Sequence, residues 1–295
     1  MKKSYNKRKA SVSRKIFRVF NFLFMAFLVL SVILPFMSIV TKSVINRSIN
    51  GLTLLPIYEN KFRMDNIAYY TIFKYKFFSK PLLVSLSTTV FVTVFGLLIT
   101  SISAYLLVQK DMPGIKIFSY MILIMLVYDT GIVPFFIVMK KLELLNSLWA
   151  VMIPLIINAY NIFLMRNFFE GLPKDILDSA EIDGCTPVQT FINIVLPMSR
   201  AALAAIGFFF AAAAWNEYFG YVVFINSTLK ENFTYRMRNW AVDYYVPPEW
   251  MENGAFDYKT MQAAMIVVNA LPIIILSLFA QKFYTPEFTM ASVKE

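Results

Sequence analysis

The sequence contains no histidine and a single cysteine, Cys185. Without histidine, the chain lacks the commonest metal ligand and the commonest general base of enzymes. One cysteine excludes a disulfide within the chain. We therefore predict neither a catalytic residue nor a metal ligand in this protein.

Glycine is also scarce, and its spacing excludes one class of site. No two of the nine glycines lie five positions apart, so the phosphate-binding pattern Gly-x-x-x-x-Gly-Lys-Ser/Thr does not occur. If ATP drives the work of this chain, another polypeptide must bind it. We expect no cofactor on this chain.

Apolar residues, in contrast, are abundant. They make up 58% of the chain, and the mean hydropathy is +0.60, whereas a soluble domain has about 45–50%. The net charge is +10, but residues 1–18 hold eight basic and no acidic side chains, and the remainder holds 20 basic and 18 acidic ones. A basic tail directly before a long apolar run indicates a cytoplasmic flank rather than a nucleic-acid surface. We predict a protein of the cell membrane, with no nucleic-acid partner and with both termini in the cytoplasm.

Six apolar runs predict an all-α, polytopic membrane protein with six transmembrane helices, because a backbone in lipid must satisfy its own hydrogen bonds. Ser79 and Pro81 have the spacing of an N-cap and a first helical turn, which predicts the start of the second span. We divide the chain into a basic cytoplasmic tail (1–18), a first transmembrane helix with an external segment (19–78), a transmembrane core (79–284) and a cytoplasmic C-terminal tail (285–295). The predicted spans are about Phe17–Val40, Pro81–Val108, Ile117–Met139, Leu148–Phe168, Met198–Phe224 and Met261–Phe283.

A polar block, Glu170–Arg200, separates the fourth and fifth predicted spans. Its pattern predicts two short helices, the first ended by Gly184. Thr186 and Gln189 have the spacing of a capping box, and Pro187 suits the first turn of the second helix. The apolar residues of that second helix recur at i, i+3, i+4 and i+7: Val188, Phe191, Ile192 and Val195. A compact helical block in water suits a partner that grips it, and the alternative is a helix that lies on lipid headgroups.

This block resembles the EAA loop of ABC importer permeases, whose pattern is Glu-Ala-Ala, three residues, Gly, and later Ile-x-Leu-Pro. The chain has Asp178-Ser179-Ala180-x-x-x-Gly184 and then Ile194-x-Leu196-Pro197, so that Asp178 stands for Glu and Ser179 for Ala. The stretch from Ala180 to Pro187 is similar to the maltose-type second permease of the sugar-importer branch. The resemblance implies a cytoplasmic helix-turn-helix that couples the permease to an ATPase through Asp178, Ser179, Ala180, Asp183, Gly184, Ile194, Leu196 and Pro197.

The resemblance also implies a set of partners. These are a second permease subunit in a heterodimer, two cytoplasmic ATPase subunits that bind ATP and magnesium, an external substrate-binding protein, a sugar ligand and membrane lipid. In the branch that it resembles, the external loop at 226–260 reaches the binding protein, and the C-terminal tail enters the ATPase interface. For the loop, packing on the chain's own spans or on the partner permease is the alternative.

Polar side chains inside the predicted spans are costly, and they suggest a substrate pathway. One interpretation is a polar lining that hydrogen-bonds sugar hydroxyls, with aromatic rings that stack on the sugar. The other interpretation is hydrogen bonding between helices. Gly131 and Pro134 indicate either a break or a kink in the third span. The candidate pathway residues are Asp129, Asn158, Asn161, Trp215, Asn216, Glu217 and Tyr218.

Two alternative functions remain open at this stage. The chain could be an ABC importer permease for a solute other than a sugar. It could instead be an ion-coupled secondary transporter, with Asp129 and Glu217 as ion or proton sites. A membrane-embedded enzyme is disfavoured, because histidine is absent and no metal-ligand cluster appears in the sequence.

Overall fold

The structure is a computed structural model, and it describes residues 12–45, 52–58, 61–62, 64–109, 112–128, 130–243 and 257–283. The chain divides into two compact units. Unit 1 comprises Met1–Thr71 and Val246–Val267, and unit 2 comprises Ile72–Tyr245 and Val268–Glu295. The predictions for most of the basic tail, for Asp129 and for the C-terminal tail fall on residues outside the described ones.

Unit 1 is built on one long helix, α1 (Val12–Ser43), which exceeds the predicted first span at both ends. Two short strands, β1 (Ile57–Tyr58) and β2 (Lys61–Phe62), pair antiparallel in the predicted external segment. The helix α2 (Ile67–Lys74) follows and ends in unit 2, and the Ser43 hydroxyl lies 2.6 Å from the Tyr69 hydroxyl. Among the described residues, β1 and β2 are the only strands.

In its described residues, unit 2 contains helices joined by turns and irregular segments, and no strand. Its helices are α3 (Lys76–Val108), α4 (Ile115–Val127), α5 (Ile132–Lys141), α6 (Leu148–Ile156), α7 (Ala159–Glu170), α8 (Lys174–Ile182), α9 (Pro187–Thr190), α10 (Leu196–Met198), α11 (Arg200–Trp215), α12 (Phe219–Phe224) and α13 (Phe233–Asp243). The last helix, α14 (Tyr258–Gln281), begins in unit 1 and ends in unit 2.

The centre of unit 2 is α3, which runs unbroken for 33 residues and packs on α11, α7 and α6. Small residues allow the close approach of α11: a Cβ on Gly96 would lie 2.7 Å from the Phe210 ring. The predicted start at Ser79 is wrong, because α3 begins at Lys76 and holds Pro81 inside. The buried Phe78 ring packs edge-on against Trp240, and this packing favours the four additional helical residues, 76–79.

In the described part of the chain, four segments are long and apolar enough to cross a membrane: Arg14–Ser43, Lys76–Val108, Leu148–Glu170 and Tyr258–Gln281. A fifth is present if Pro187–Met198 and Arg200–Trp215, which meet at a bend of 82°, count as one. The chain is therefore a helical protein with several helices of membrane-spanning length. The predicted third, fourth and fifth spans are each interrupted by described residues outside helix: 128, 130 and 131 in the third, 157–158 in the fourth and 216–218 in the fifth.

Candidate functional site

The block between the predicted fourth and fifth spans, here called the elbow (residues 170–200), folds as two helical segments joined by a tight turn. The first segment, α8, ends in a Schellman motif: the Gly184 N–H donates to the Glu181 carbonyl at 3.0 Å, and the Cys185 N–H donates to the Ala180 carbonyl at 2.9 Å. Gly184 has φ +80°, a conformation that glycine adopts without steric cost. The predicted glycine stop is confirmed.

The second segment starts with the predicted capping box. The Gln189 side-chain oxygen accepts from the Thr186 N–H at 2.8 Å, and the Gln189 N–H donates to the Thr186 hydroxyl at 3.4 Å. Pro187 occupies the first helical position. Each interaction joins residues three apart, so the sequence alone was sufficient to place this helix start.

The apolar face of the second segment is only partly buried. A π-helical turn at Phe191–Val195 follows α9, and its wider winding rotates the later residues relative to the predicted α-helical face. Val195 is fully buried, whereas Val188 and Ile192 are 65% and 54% exposed. These two side chains line an apolar cleft of about 1060 Å³ between α3 and the elbow.

Acidic side chains cover the solvent face of the elbow. Asp175, Asp178, Glu181 and Asp183 are all exposed. Among the predicted coupling residues, Ser179, Gly184 and Pro197 are also exposed. Ala180 is buried, and Ile194 and Leu196 are half-buried. A cleft of about 430 Å³ on this face is lined by Asp175, Ile176, Ser179, Ala180, Asp183, Cys185 and Ile194.

One side chain ties the elbow directly to α3. The Tyr105 hydroxyl donates to the Pro187 carbonyl at 3.0 Å, and its ring lies 4.9 Å from the Phe191 ring. Val195 and Phe169 belong to the hydrophobic core that α3 shares with α7 and α11. A displacement of the elbow would therefore be transmitted to the C-terminal end of α3.

The predicted pathway residues of the fifth span lie at the break between α11 and α12. The carbonyl groups that this break frees accept hydrogen bonds from neighbouring side chains, which a backbone at membrane depth would require. The Thr234 hydroxyl donates to the Trp215 carbonyl at 2.9 Å, and the Asn232 amide donates to the Glu217 carbonyl at 2.5 Å. The Trp215 indole donates to the Asn269 carbonyl at 2.8 Å. Trp215 is 2% exposed, so its ring is part of the core of this chain.

Sequence reasoning missed the roles of Asn232 and Thr234. Asn232 also accepts the Tyr235 N–H at 2.8 Å, which is the contact of an N-cap at the start of α13. The available signal was an asparagine directly before the first residue of α13, because asparagine is a preferred N-cap. The long-range contacts of both side chains with span five had no local signature.

The polar side chains at the break differ in their exposure to solvent and in their hydrogen bonds. Asn216 is exposed, and its amide donates to the Ala212 carbonyl at 2.9 Å. The half-buried Glu217 carboxylate accepts the Gly220 N–H at 2.6 Å. Tyr218 is half-buried, and its ring lies 5.9 Å from the Tyr235 ring. The structure thus brings Asn216, Glu217 and Tyr218 together with Tyr235.

The predicted fourth span holds the remaining described candidates, and the predicted third span is also interrupted. In the fourth, the exposed Asn158 caps α7 by accepting the Asn161 N–H at 3.0 Å, and Asn161 is itself buried. In the third, Gly131 has φ +71° between α4 and α5, so of the two alternatives a break is the one found. Among the described residues, neither asparagine hydrogen-bonds to the residues at the span-five break.

A buried ion pair lies beside α13. The Arg236 guanidinium contacts the Glu231 carboxylate at 2.7 Å, donates to the Thr228 carbonyl at 3.1 Å and lies 4.2 Å from the centre of the Phe77 ring. Burial raises the pKa of the Glu231 carboxyl, and the Arg236 guanidinium opposes that shift. Burial also lowers the pKa of Arg236. These contacts of Arg236 join α13 to the start of α3 and to the segment before α13.

Interrupted apolar helices joined by an exposed polar elbow are the architecture of a membrane transport protein. A model of the family described as binding-protein-dependent transport system inner membrane component matches residues 112–289. The chain belongs to this family.

Several proteins are similar along most of the chain. The polygalacturonan/rhamnogalacturonan transport system permease protein YtcP of Bacillus subtilis is 31% identical over 284 residues, covering 94% of this chain and 99% of that protein. The arabinooligosaccharides transport system permease protein AraQ of Halalkalibacterium halodurans is 29% identical, covering 70% of this chain and 71% of that protein. A chain in the crystal structure of a bacterial ABC transporter involved in the import of the acidic polysaccharide alginate superposes with a TM-score of 0.84 at 26% identity, covering 95% of this chain and all of that one.

Proposed function

We propose that this chain is the membrane-spanning permease subunit of an ATP-driven, binding-protein-dependent importer for a carbohydrate. Similarity to permeases named for polygalacturonan, rhamnogalacturonan and arabinooligosaccharides supports a carbohydrate as the cargo. In this proposal α1, α3 and α14 each cross the membrane as one helix. The pairs α4–α5, α6–α7 and α11–α12 form the three interrupted spans, which gives six in total.

The observation that carries the proposal is the elbow. It is compact, closed by a Schellman motif and a capping box, acidic on its exposed face, and joined to α11 through a bend of 82°. We infer that a cytoplasmic ATPase subunit grips it through the exposed Asp178, Ser179 and Asp183. Gly184 sets the turn, and Ala180 packs beneath it.

The elbow would work as a lever. When the ATPase subunits bind ATP and close, the elbow moves, and the Tyr105 contact with Pro187 passes that movement to α3. Because α3 packs on α11, α7 and α6, its displacement would rock the spans between inward-facing and outward-facing arrangements. The importer would comprise a second permease, two ATPase subunits that bind ATP and magnesium, and an external binding protein.

The breaks at membrane depth would line the substrate pathway, since interrupted helices are tolerated in lipid where they line a cavity. Asn158, Asn216, Glu217 and Tyr218 present at least part of their side chains at these breaks, so we assign them contact with the sugar. Trp215 and Asn161 are buried within the chain and would position their neighbours. Asp129 keeps its sequence-based assignment to this pathway.

Co-purification tests the proposal. An ATPase subunit should be recovered with the wild-type chain from detergent-solubilised membranes, and it should be lost when Asp178 and Gly184 are both replaced by alanine. Uptake of a labelled sugar should stop when ATP hydrolysis is blocked. Uptake that instead collapses with the membrane potential and needs no ATPase would contradict the proposal and favour an ion-coupled transporter.

A further inference from the structure

An aromatic and cationic cluster lies beside the break in span five. Tyr218, directly before α12, packs against Tyr235 of α13, and the Arg238 guanidinium lies 4.6 Å from the centre of the Tyr218 ring. Both rings are half-buried and Arg238 is exposed. These three residues, here called the Tyr218 cluster, therefore present two ring surfaces and one cation beside the exposed Asn216.

The backbone around this cluster is fixed by a single buried side chain. Asn232 is fully buried, and it donates to the Glu217 carbonyl while it accepts the Tyr235 N–H. The residue before Tyr218 and the residue whose ring packs against Tyr218 at a tilt are thus held by the same amide. A site whose groups are positioned before a ligand arrives loses less entropy on binding.

The two arginines of α13 are used differently. Arg236 is buried and paired with Glu231, whereas Arg238, two residues later on another side of the helix, has no acidic partner among the described residues. Arg238 is exposed, and the edge of a guanidinium can donate two parallel hydrogen bonds to one carboxylate. Arg238 is therefore available to bind an anion.

The surface around the cluster carries further cations without ion pairs in the described residues. This surface is the end of unit 2 at which α3 begins, α5 ends and α13 lies, and its exposed lysines are Lys76, Lys80, Lys140 and Lys141. Lys76 and Lys80 are four residues apart at the N-terminus of α3, where both their mutual repulsion and the helix dipole oppose them. A surface that keeps these unfavourable charges attracts polyanions and raises their local concentration.

We propose that the Tyr218 cluster is a subsite for an acidic sugar, so that the carbohydrate carried by this importer is a uronate-bearing oligosaccharide. The sugar ring packs on Tyr218 and Tyr235, the Arg238 guanidinium donates to the uronate carboxylate, and Asn216 hydrogen-bonds a hydroxyl. Aromatic side chains with a few placed polar groups are the usual lining of a small-molecule site. This inference rests on the proposed carbohydrate import.

The test uses the complete importer in proteoliposomes, with its binding protein and ATPase subunits. Uptake of radiolabelled galacturonate and alginate trisaccharides is compared with uptake of a neutral arabinose trisaccharide. Losing a hydrogen-bonded charge pair slows acidic uptake roughly tenfold in the Arg238→Gln variant. The Arg238→Lys variant keeps the charge but loses the two parallel donors of the guanidinium, and its uptake of the acidic trisaccharides lies between those of the wild type and Arg238→Gln. ATPase stimulation by the loaded binding protein and the melting temperature stay at wild-type values, and the matched control Lys116→Gln, at an exposed lysine in the first turn of α4, keeps wild-type uptake.

Three results overturn the inference while leaving carbohydrate import intact. The first is unchanged uptake of the acidic trisaccharides by Arg238→Gln. The second is an ATPase stimulation that falls in parallel with uptake, since Arg238 would then dock an acidic surface of the binding protein. The third is a wild-type importer that carries the arabinose trisaccharide and neither acidic one. Uptake of none of the three sugars overturns the proposed function itself.

Discussion

Replacement of Gly184 by alanine tests the elbow as a lever. Gly184 has φ +80°, and a Cβ added there would meet no atom within 4 Å. Alanine therefore introduces backbone strain without a steric clash. The left-handed conformation costs an L-residue about 1–2 kcal/mol. The strain acts on the turn in which the Gly184 and Cys185 N–H groups donate to carbonyl groups of α8. We therefore expect α8 to persist and the turn to adopt other conformations.

The magnitude follows from this strain. An energy of about 1–2 kcal/mol changes a two-state equilibrium by about 5–30-fold. The population of the native turn relative to other turn conformations would therefore fall by up to that factor. In proteoliposomes that contain the whole importer, we expect Gly184→Ala to lower sugar uptake per ATP hydrolysed by severalfold or more. Basal hydrolysis by the ATPase subunits should continue, because their nucleotide site is not on this chain.

The chain offers a matched control for this variant. Gly114 has φ +82°, and a Cβ there would also meet no atom within 4 Å, but it precedes α4 and lies outside the elbow. Gly114→Ala should therefore add similar strain and leave coupling intact. Gly184→Asn should keep more uptake than alanine, because asparagine tolerates this conformation. Wild-type uptake per ATP in Gly184→Ala, or an equal loss in Gly114→Ala, would refute the lever.

Three further predictions concern single contacts. Tyr105→Phe keeps the ring contact with Phe191 but removes the bond to the Pro187 carbonyl, worth about 1 kcal/mol, and should lower uptake per ATP severalfold; unchanged coupling would exclude this link. Asn232→Ala leaves the Glu217 carbonyl and the Tyr235 N–H without these partners. The free energy of unfolding should fall by about 1–3 kcal/mol, which a lowered melting temperature in detergent would show. The control variant Asn226→Ala, at an exposed position, should have the melting temperature of the wild type. Because burial raises the folded-state pKa of Glu231 above its unfolded value, its contribution to stability is full below the unfolded pKa and is lost as pH rises through the folded one. The melting temperature of the wild type should then fall relative to that of Glu231→Gln as pH rises, and a constant difference would contradict the raised pKa.

The elbow could be predicted from the sequence because its signals are local. The contacts that end α8 and start α9 join residues at most five apart, at Gly184 and between Thr186 and Gln189. Each depends on the residue type at one position, so spacing alone located them. The π-helical turn at Phe191–Val195 has no such signal, because it arises where the segment meets α3 and α7.

The breaks in the predicted fourth and fifth spans could not be predicted in this way. Asn158 and Asn216 lie where the backbone leaves the helix, but the sequence led to a prediction that they line a pathway and not that they mark a break. The partners that make those interruptions tolerable, Asn232 and Thr234, lie about 15–19 residues away in sequence, in a segment that looked like a loop. Long-range packing, here of Phe78 against Trp240, also explains why α3 begins at Lys76, before the predicted start.

Cys185 provides the most direct measurement of the central claim, that a cytoplasmic ATPase grips the elbow. It is the only cysteine in the chain, it is half-buried, and it lines the clefts of the elbow. A photo-crosslinker attached through a maleimide to the unaltered chain in inside-out membrane vesicles should capture a subunit whose sequence contains a P-loop. Labelling of Cys185 in intact cells by a maleimide that cannot cross the membrane, or crosslinks to lipid alone, would contradict the account.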